Sequence, residues 1–171
     1  MALRVTLDFS KFTKGMGEYA QALDRLAAMD VEKEAEEAVK AGAKIVADEI
    51  RGRIEALPTE PYRHLKAGEK FAGISQEQKK DLEDSFGVTP IKKDRYGGIN
   101  AKAGFDGYGS YPSKKYPQGL PNQLLARAIE SGSSVRDKHP FVRPAVQAVR
   151  KEAEEAMEKV IDKAIQDKME G

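Results

Sequence analysis

The sequence has 171 residues, which suits one domain, and we expect residues 1–171 to form a single domain. Its 29 basic and 28 acidic residues leave a net charge of +1. The chain therefore lacks the long-range positive field with which proteins attract nucleic acid. Cysteine is absent, which excludes disulfides, thiolate zinc sites and cysteine nucleophiles.

The beginning of the chain does not read as a targeting segment. Residues 1–8 lack the apolar core of a signal peptide, and no segment approaches the ~18 apolar residues of a membrane span. We therefore expect a soluble protein that is made in the cytoplasm and has no membrane partner.

The first pattern along the chain predicts a strand followed by a short helix. Residues 3–9 alternate apolar and polar side chains, which is the period of a half-buried strand. Ser10 and Thr13 are candidate N-caps for a helix that extends to about Met29.

A long helix is predicted at 30–57. Asp30 is its candidate N-cap, apolar residues recur at intervals of three and four, and Pro58 ends it. Its apolar side is rich in alanine and includes Gly42, so we expect another helix or a sheet to approach it closely. The opposite face carries the charged residues Lys33, Glu37, Lys40, Lys44 and Arg51.

The next part of the chain predicts a loop and a short helix. Residues 58–74 contain prolines and glycines among charged residues, a composition typical of a loop. Ser75 and Gln78, three positions apart, form the capping-box pattern, which predicts a helix at 75–84.

Two strands and a long loop follow. Residues 86–92 and 99–108 alternate as strands, and residues 94–98 supply a hairpin connection because the glycines there can adopt positive φ. The segment at 108–120 is dense in glycine, proline, tyrosine and lysine and has little periodicity. It is predicted to be a long flexible surface loop.

The predicted fold class is α+β. A short helix or an extended segment at 122–129 leads into a final helix from about Pro140 to Met169. Each of the two long helices has one apolar stripe and needs a cover, so we expect both to pack on a small antiparallel sheet. The predicted strands of that sheet are 3–9, 86–92 and 99–108.

The most distinctive segment precedes the last helix. It reads ESGS at 130–133 and KHPFVRPA at 138–145. Gly132 is free to adopt positive φ, whereas the two prolines fix their own φ and push His139 and Arg143 towards extended backbone. The chain is therefore expected to begin the helix at a set angle.

Two side chains of this segment are candidates for structural or interaction roles. Phe141 lies between the two prolines, so we expect it to act as a hydrophobic anchor against the sheet or against a neighbouring subunit. Glu130 has no partner acid, nucleophile or metal ligand near it in the sequence. We expect it to have a capping or inter-subunit role instead of a catalytic one.

The patterns that indicate catalysis or cofactor binding are absent from the sequence. The only histidines, His64 and His139, are far apart, and no phosphate-binding, dinucleotide-binding or hydrolase motif occurs. Asp81, Glu83 and Asp84 are interpreted as an exposed helix end. We therefore expect no enzymatic activity, no metal and no cofactor, and a small hydrolase is the least favoured hypothesis.

One part of the long loop has the composition of a nucleic-acid-binding site. Lys114 and Lys115 are flanked by Tyr111 and Tyr116, and basic residues beside aromatic ones bind single strands. A loop whose lysines keep it in solution is the favoured interpretation. The alternative function is a nucleic-acid-binding accessory protein that uses this loop and the basic face of the 30–57 helix.

The turn and the helix that follows it resemble those of the head–tail joining or tail-completion (neck) proteins of long-tailed bacteriophages. This is the family typified by the gene-ten product of a lambdoid coliphage. The family has an E-x-G-T turn and a P-F-x-x-P-A helix opening. The matching residues here are Glu130, Gly132 and Ser133 (with Ser for Thr) and then Pro140, Phe141, Pro144 and Ala145.

The resemblance extends, with departures, to an earlier motif and to the order of elements across most of the chain. Family members carry a T-G-x-L-R-x-S stretch, of which Leu82 and Ser85 match the Leu and the Ser. Glu83 replaces the usual Arg, so contacts made by that position in the family are not carried over.

The resemblance implies a non-enzymatic virion component of the phage neck. It implies a ring, expected to be a hexamer in the particle, at the place where the filled head meets the tail. The implied partners are other copies of this chain, head-completion proteins and tail-terminator or tail-tube proteins, and DNA only passes through the ring. The isolated chain is expected to be a monomer or weak oligomer, because ordering the 108–120 loop costs free energy.

Overall fold

The computed structural model describes residues 18–170, with side chains from residue 23 onward. The helices in this range are α1 Glu18–Ala27, α2 Val31–Glu55, α3 Gln76–Ser85, α4 Asn122–Ser131 and α5 Val142–Glu170. The strands are β1 Phe86–Val88, β2 Lys92–Lys93, β3 Ile99–Asn100 and β4 Ala103–Phe105. The predicted α+β fold class is confirmed, while the predicted strand at 3–9 and the N-caps Ser10 and Thr13 lie outside the described residues.

The helix starts follow the predicted capping chemistry. The Asp30 carboxylate accepts the backbone N–H of Lys33 at 3.1 Å, just before α2. At α3 the capping box forms in full: the Ser75 hydroxyl accepts the N–H of Gln78, and the Gln78 side chain accepts the N–H of Ser75. The segment at 122–129, for which sequence left two alternatives, is the helix α4.

The described chain divides into two compact units. The first contains the chain up to Ile45, Thr89–Lys102 and the chain from Lys151, and the second contains Val46–Val88 and Ala103–Arg150. Both long helices, α2 and α5, contribute residues to each unit. The single domain at 1–171 stays a prediction.

In the first unit, α2 packs against α5. The buried side chains of this core are Ala38, Val39, Ala101, Met157 and Ile161. At Gly42 an added Cβ would lie 2.6 Å from the sulfur of Met157 and 3.3 Å from the carbonyl oxygen of Ala153. Glycine at this position therefore allows the close helix approach that the alanine-rich side of α2 predicts.

The antiparallel strands form two separate ladders instead of the single small sheet that the sequence predicts. Among the described residues it consists of two two-stranded ladders, β1 with β4 and β2 with β3. Pro90 lies between β1 and β2 and has no N–H to donate, so it interrupts ladder pairing. The predicted connection does form: the Asp94 carboxylate accepts the N–H groups of Tyr96 and Gly98, each at 2.8 Å.

In the second unit, aromatic rings join the β1–β4 ladder to the start of α5. The ring centroids of Phe86 and Phe105 are 5.2 Å apart, and those of Phe105 and Phe141 are 6.0 Å apart. The largest fully buried side chains of this unit are Ile54, Leu82, Ile129 and Phe141. This unit contains the turn at 130–133 and the groove described below.

We expect Gly42→Ala to leave the protein less stable than Gly52→Ala by about 1–3 kcal/mol, the usual cost of overpacking. Both glycines lie in α2, where alanine is the better helix former. A Cβ at Gly52 meets nothing within 4 Å, whereas a Cβ at Gly42 collides with Met157. Denaturant unfolding of the two variants measures the difference, and equal free energies of unfolding would contradict the close α2–α5 approach.

Candidate interaction site

The turn between α4 and α5 is built around Gly132. This residue follows the last residue of α4 with φ of 79°, in the left-handed region that glycine adopts without steric cost. An added Cβ would lie 3.2 Å from the Cβ of Lys138. The N–H of Ser133 donates to the carbonyl of Arg136 at 2.9 Å, which closes the turn.

One carboxylate holds the beginning of α5. Glu130, whose side chain is 10% exposed, accepts the backbone N–H groups of Phe141 at 2.8 Å, Val142 at 2.9 Å and Arg143 at 3.1 Å. The first N–H groups of a helix have no partner within the helix, and a negative charge is favourable there. Glu130 therefore caps α5 from the end of α4, which is the capping role among the two that sequence left open.

Pro144 does not keep the residue before it in extended backbone. Arg143 was expected in extended backbone, but it lies in the first turn of α5. Pro144 has no N–H, so it leaves no donor without a partner in that turn, and Ala145 makes the first intrahelical bond, to the carbonyl of Phe141. The Arg143 side chain is exposed, with its Nε 3.9 Å from Glu130.

Phe141 lies under the helix start and is 1% exposed. Its ring meets that of Phe105 on β4 edge to face, and Phe105 in turn meets Phe86 on β1. The Arg51 guanidinium lies 5.5 Å from the centre of the Phe86 ring. Of the two surfaces proposed for Phe141 from sequence, the structure places it against the strands of its own chain.

Leu82 and Ser85 lie at the end of α3, in the same unit. Leu82 is fully buried, and its carbonyl accepts the Ser85 hydroxyl at 3.4 Å. The carbonyl of Ser85 accepts the N–H of Asp106 at 3.1 Å, directly after β4. These two residues therefore fix the passage from α3 into the β1–β4 ladder.

Arg136 is a structural residue that sequence reasoning missed. It is buried, donates to the carbonyl of Gly73 and to the Gln78 side chain, and lies 5.6 Å from the centre of the Phe71 ring. Burial lowers the pKa of Arg136, and the charge of Glu60 opposes that shift. No periodicity in the sequence distinguishes this arginine from the exposed charges around it.

A groove with aromatic walls opens beside Arg136. It has a volume of ≈ 800 Å³ and is lined by residues 59–62, 75–78 and 111–113 together with Phe71, Gly73 and Arg136. Tyr62, 76% exposed, stacks on Phe71 with ring centroids 5.9 Å apart. We call this feature the aromatic groove.

Of the four loop residues proposed to bind nucleic acid, Tyr111 lines the aromatic groove, whereas Lys114, Lys115 and Tyr116 do not. Tyr111 lines the aromatic groove, and partial burial, with the nearby charge of Glu77, raises the pKa of its phenol. Lys115 places its Nζ 5.3 Å from the centre of the Tyr116 ring, and Lys114 is exposed. The predicted loop at 108–120 contains no helix and no strand beyond an isolated bridge from Tyr108 to Pro121, and its flexibility stays a prediction. The nucleic-acid-binding interpretation stays a prediction.

The described residues contain no group of three or more His, Cys, Asp or Glu side chains that could hold a metal ion. The His64 side chain is exposed. The backbone N–H of His139 donates to the carbonyl of Ile129 at 2.7 Å. None of the helices between residues 18 and 170 is long and apolar enough to cross a membrane.

Residues 17–114 match the model of a protein family described as "Bacteriophage HK97-gp10, putative tail-component". The match covers more than half of the chain. The chain belongs to this HK97-gp10-like family. This match confirms the family assignment made from sequence. The matched range includes Leu82 and Ser85 but ends before the turn at 130–133. Searches of curated proteins and of solved structures found no match.

We expect Glu130→Ala to lower the free energy of unfolding by about 1–3 kcal/mol, because it removes a charged acceptor from three N–H groups at a helix start. Glu158→Ala, at an exposed position of α5, is the matched control and should have little effect on the free energy of unfolding. Thermal and denaturant unfolding measure both. A Glu130 variant as stable as the control would show that water replaces the cap without cost.

We expect Phe141→Ala to cost about 3–5 kcal/mol of stability, the range for removing a buried phenylalanine. Phe141→Leu retains most of the apolar volume and should cost less. Tyr62→Ala, an exposed aromatic of the same unit, serves as the comparison in denaturant unfolding. The anchor role of Phe141 would be wrong if Phe141→Ala unfolded at the same midpoint as Tyr62→Ala.

Proposed function

We propose that this protein is a structural component of the phage neck that joins or completes the tail at the head–tail interface. The observation that carries the proposal is the family match over residues 17–114, since that family is described as a tail component. As a tail component the protein belongs to the virion, and it occupies the host cytoplasm before assembly.

The proposed assembly is a ring of identical chains, a hexamer in the particle. Its neighbours are head-completion proteins on one side and tail-terminator or tail-tube proteins on the other, and DNA passes through the ring. A ring requires a contact between two different surfaces of the chain that closes on itself. The proposed role is structural, with no enzymatic step and no cofactor.

The junction between the turn at 130–133 and α5 supports a structural role because both a carboxylate and a buried ring fix it. Glu130 fixes the beginning of α5 by three hydrogen bonds, and Phe141 buries its ring against β4. A component that holds two parts of a particle together needs such fixed junctions. We propose that Glu130, Gly132, Ser133, Phe141, Arg143 and Pro144, with Leu82 and Ser85, maintain the shape that neighbouring subunits bind.

Deleting the gene from a phage that encodes this protein should leave DNA-filled heads and tails that fail to join into infectious particles. Electron microscopy and plaque counts measure this, and supplying the protein from a plasmid is the control for polar effects on neighbouring genes. Joined, infectious particles without the protein would contradict the proposed function. Imaging of the parent neck tests the hexameric ring.

A further inference from the structure

The β4–α4 loop, residues 106–121, is closed at its base by backbone contacts. The N–H of Gly109 donates to the carbonyl of Leu120 at 2.8 Å. A Cβ added to Gly119 would overlap the carbonyl oxygen of Gly109, so the two ends of the loop touch there. A surface loop whose ends meet in this way is an Ω-loop, which forms a compact element of its own.

The tip of the β4–α4 loop has internal hydrogen bonds. The N–H of Ser113 donates to the carbonyl of Tyr116 at 2.8 Å, and the N–H of Tyr116 donates to the Ser113 hydroxyl at 3.1 Å. The N–H of Gly119 donates to the same Tyr116 carbonyl at 3.0 Å. These bonds give the tip a defined conformation without a helix or a ladder.

Two carboxylates of α3 hold the β4–α4 loop from the side. The Asp81 carboxylate accepts both the N–H of Ser110 at 2.8 Å and the Ser110 hydroxyl at 2.5 Å. Glu77, four residues earlier and therefore on the same face of α3, interacts with the Tyr111 phenol. Hydrogen bonds to a carboxylate are stronger than those between neutral groups, so Asp81 provides the main attachment of the loop to α3.

The attached part of the loop is also a wall of the aromatic groove. Residues 111–113 line the groove together with residues 59–62 and 75–78. Tyr111 directly follows Ser110, the residue that Asp81 holds. A movement of Ser110 away from α3 would therefore carry Tyr111 with it, and the groove would lose this wall.

We propose that the β4–α4 loop opens and closes on α3 as a unit, that Asp81 is the positioning residue of the closed state, and that the aromatic groove is complete only when the loop is closed. The loop is described throughout, and none of its apolar side chains is buried. Segments with few buried apolar contacts open at low free energy, so the bonds to Asp81 decide how often this loop opens.

The closed loop differs from the flexible loop that the sequence predicts. It presents Lys114 and Lys115, both exposed, in a defined conformation before any partner binds. The cost of ordering the loop then falls within the isolated chain, which removes the reason for which a monomer is expected from sequence.

Hydrogen exchange measures the opening of the loop. We expect Asp81→Ala to raise the exchange rate of backbone amides in peptides that cover residues 108–121 by about tenfold or more, because it removes the acceptor of both Ser110 bonds. Asp84→Ala is the matched control, since Asp84 is an exposed acid of the same helix. Asp81→Asn retains a side-chain oxygen that can accept one of the two bonds and should give an intermediate rate.

Trypsin cleavage after Lys114 and Lys115, followed by mass spectrometry, is a second measurement. Cleavage within a loop tracks the population of its open form when opening and closing are fast. Asp81→Ala should therefore be cleaved at these two lysines about tenfold faster than the parent or Asp84→Ala.

Tyrosine-selective NMR tests the link to the aromatic groove. The ring resonances of Tyr111, assigned with Tyr111→Phe, should shift towards those of a tyrosine in free solution in Asp81→Ala and stay in place in Asp84→Ala. Unchanged Tyr111 resonances in Asp81→Ala would show that the groove keeps this wall without the Asp81 contact, which contradicts the inference.

The exchange data separate a local opening from a general loss of stability. Equal loop exchange in Asp81→Ala and Asp84→Ala overturns the inference. Exchange that rises equally at residues 142–150 of α5 also overturns it, because the loop would then not open as a unit of its own. Faster loop exchange with α5 unchanged supports it. The isolated full chain is measured throughout, so no outcome depends on the proposed neck function.

Discussion

The second compact unit depends on one carboxylate, whose side chain is 10% exposed. Glu130, at the end of α4, accepts the first three N–H groups at the start of α5, and Pro144 removes the demand for the next one. This arrangement gives partners to the backbone donors of a partly buried helix start, where unpaired N–H groups would be costly. Because the helix begins there, Phe141 is held against β4 and closes the aromatic cluster. The path of a 29-residue helix thus follows from one side chain eleven positions upstream of Phe141.

The first unit depends instead on the absence of a side chain. Gly42 lies where any Cβ would collide with Met157, so the α2–α5 contact there is closer than larger residues allow. Helices that pack so closely gain dispersion contacts along their length without large apolar residues. This explains how the small side chains Ala38 and Val39 of α2 share a buried core with Met157 and Ile161 of α5.

The two most distinctive features of the second unit are its rigid helix junction and its aromatic groove. The described residues converge on rigid junctions and on a groove that displays tyrosines, and the family is one of phage tail components. A phage tail component interacts with other phage structural proteins. The capping and packing that hold the start of α5 maintain the unit that presents the aromatic groove.

The sequence by itself determined the features that local chemistry controls. The 3.6-residue periodicity defined α2 and α5, the Ser75–Gln78 pair defined the start of α3, and Gly132 defined the turn. Tertiary structure alone decided which donors Glu130 accepts, that Arg136 is buried and that Arg143 is helical. These depend on residues distant in sequence, such as Gly73 for Arg136, and local periodicity carries no information about such pairs.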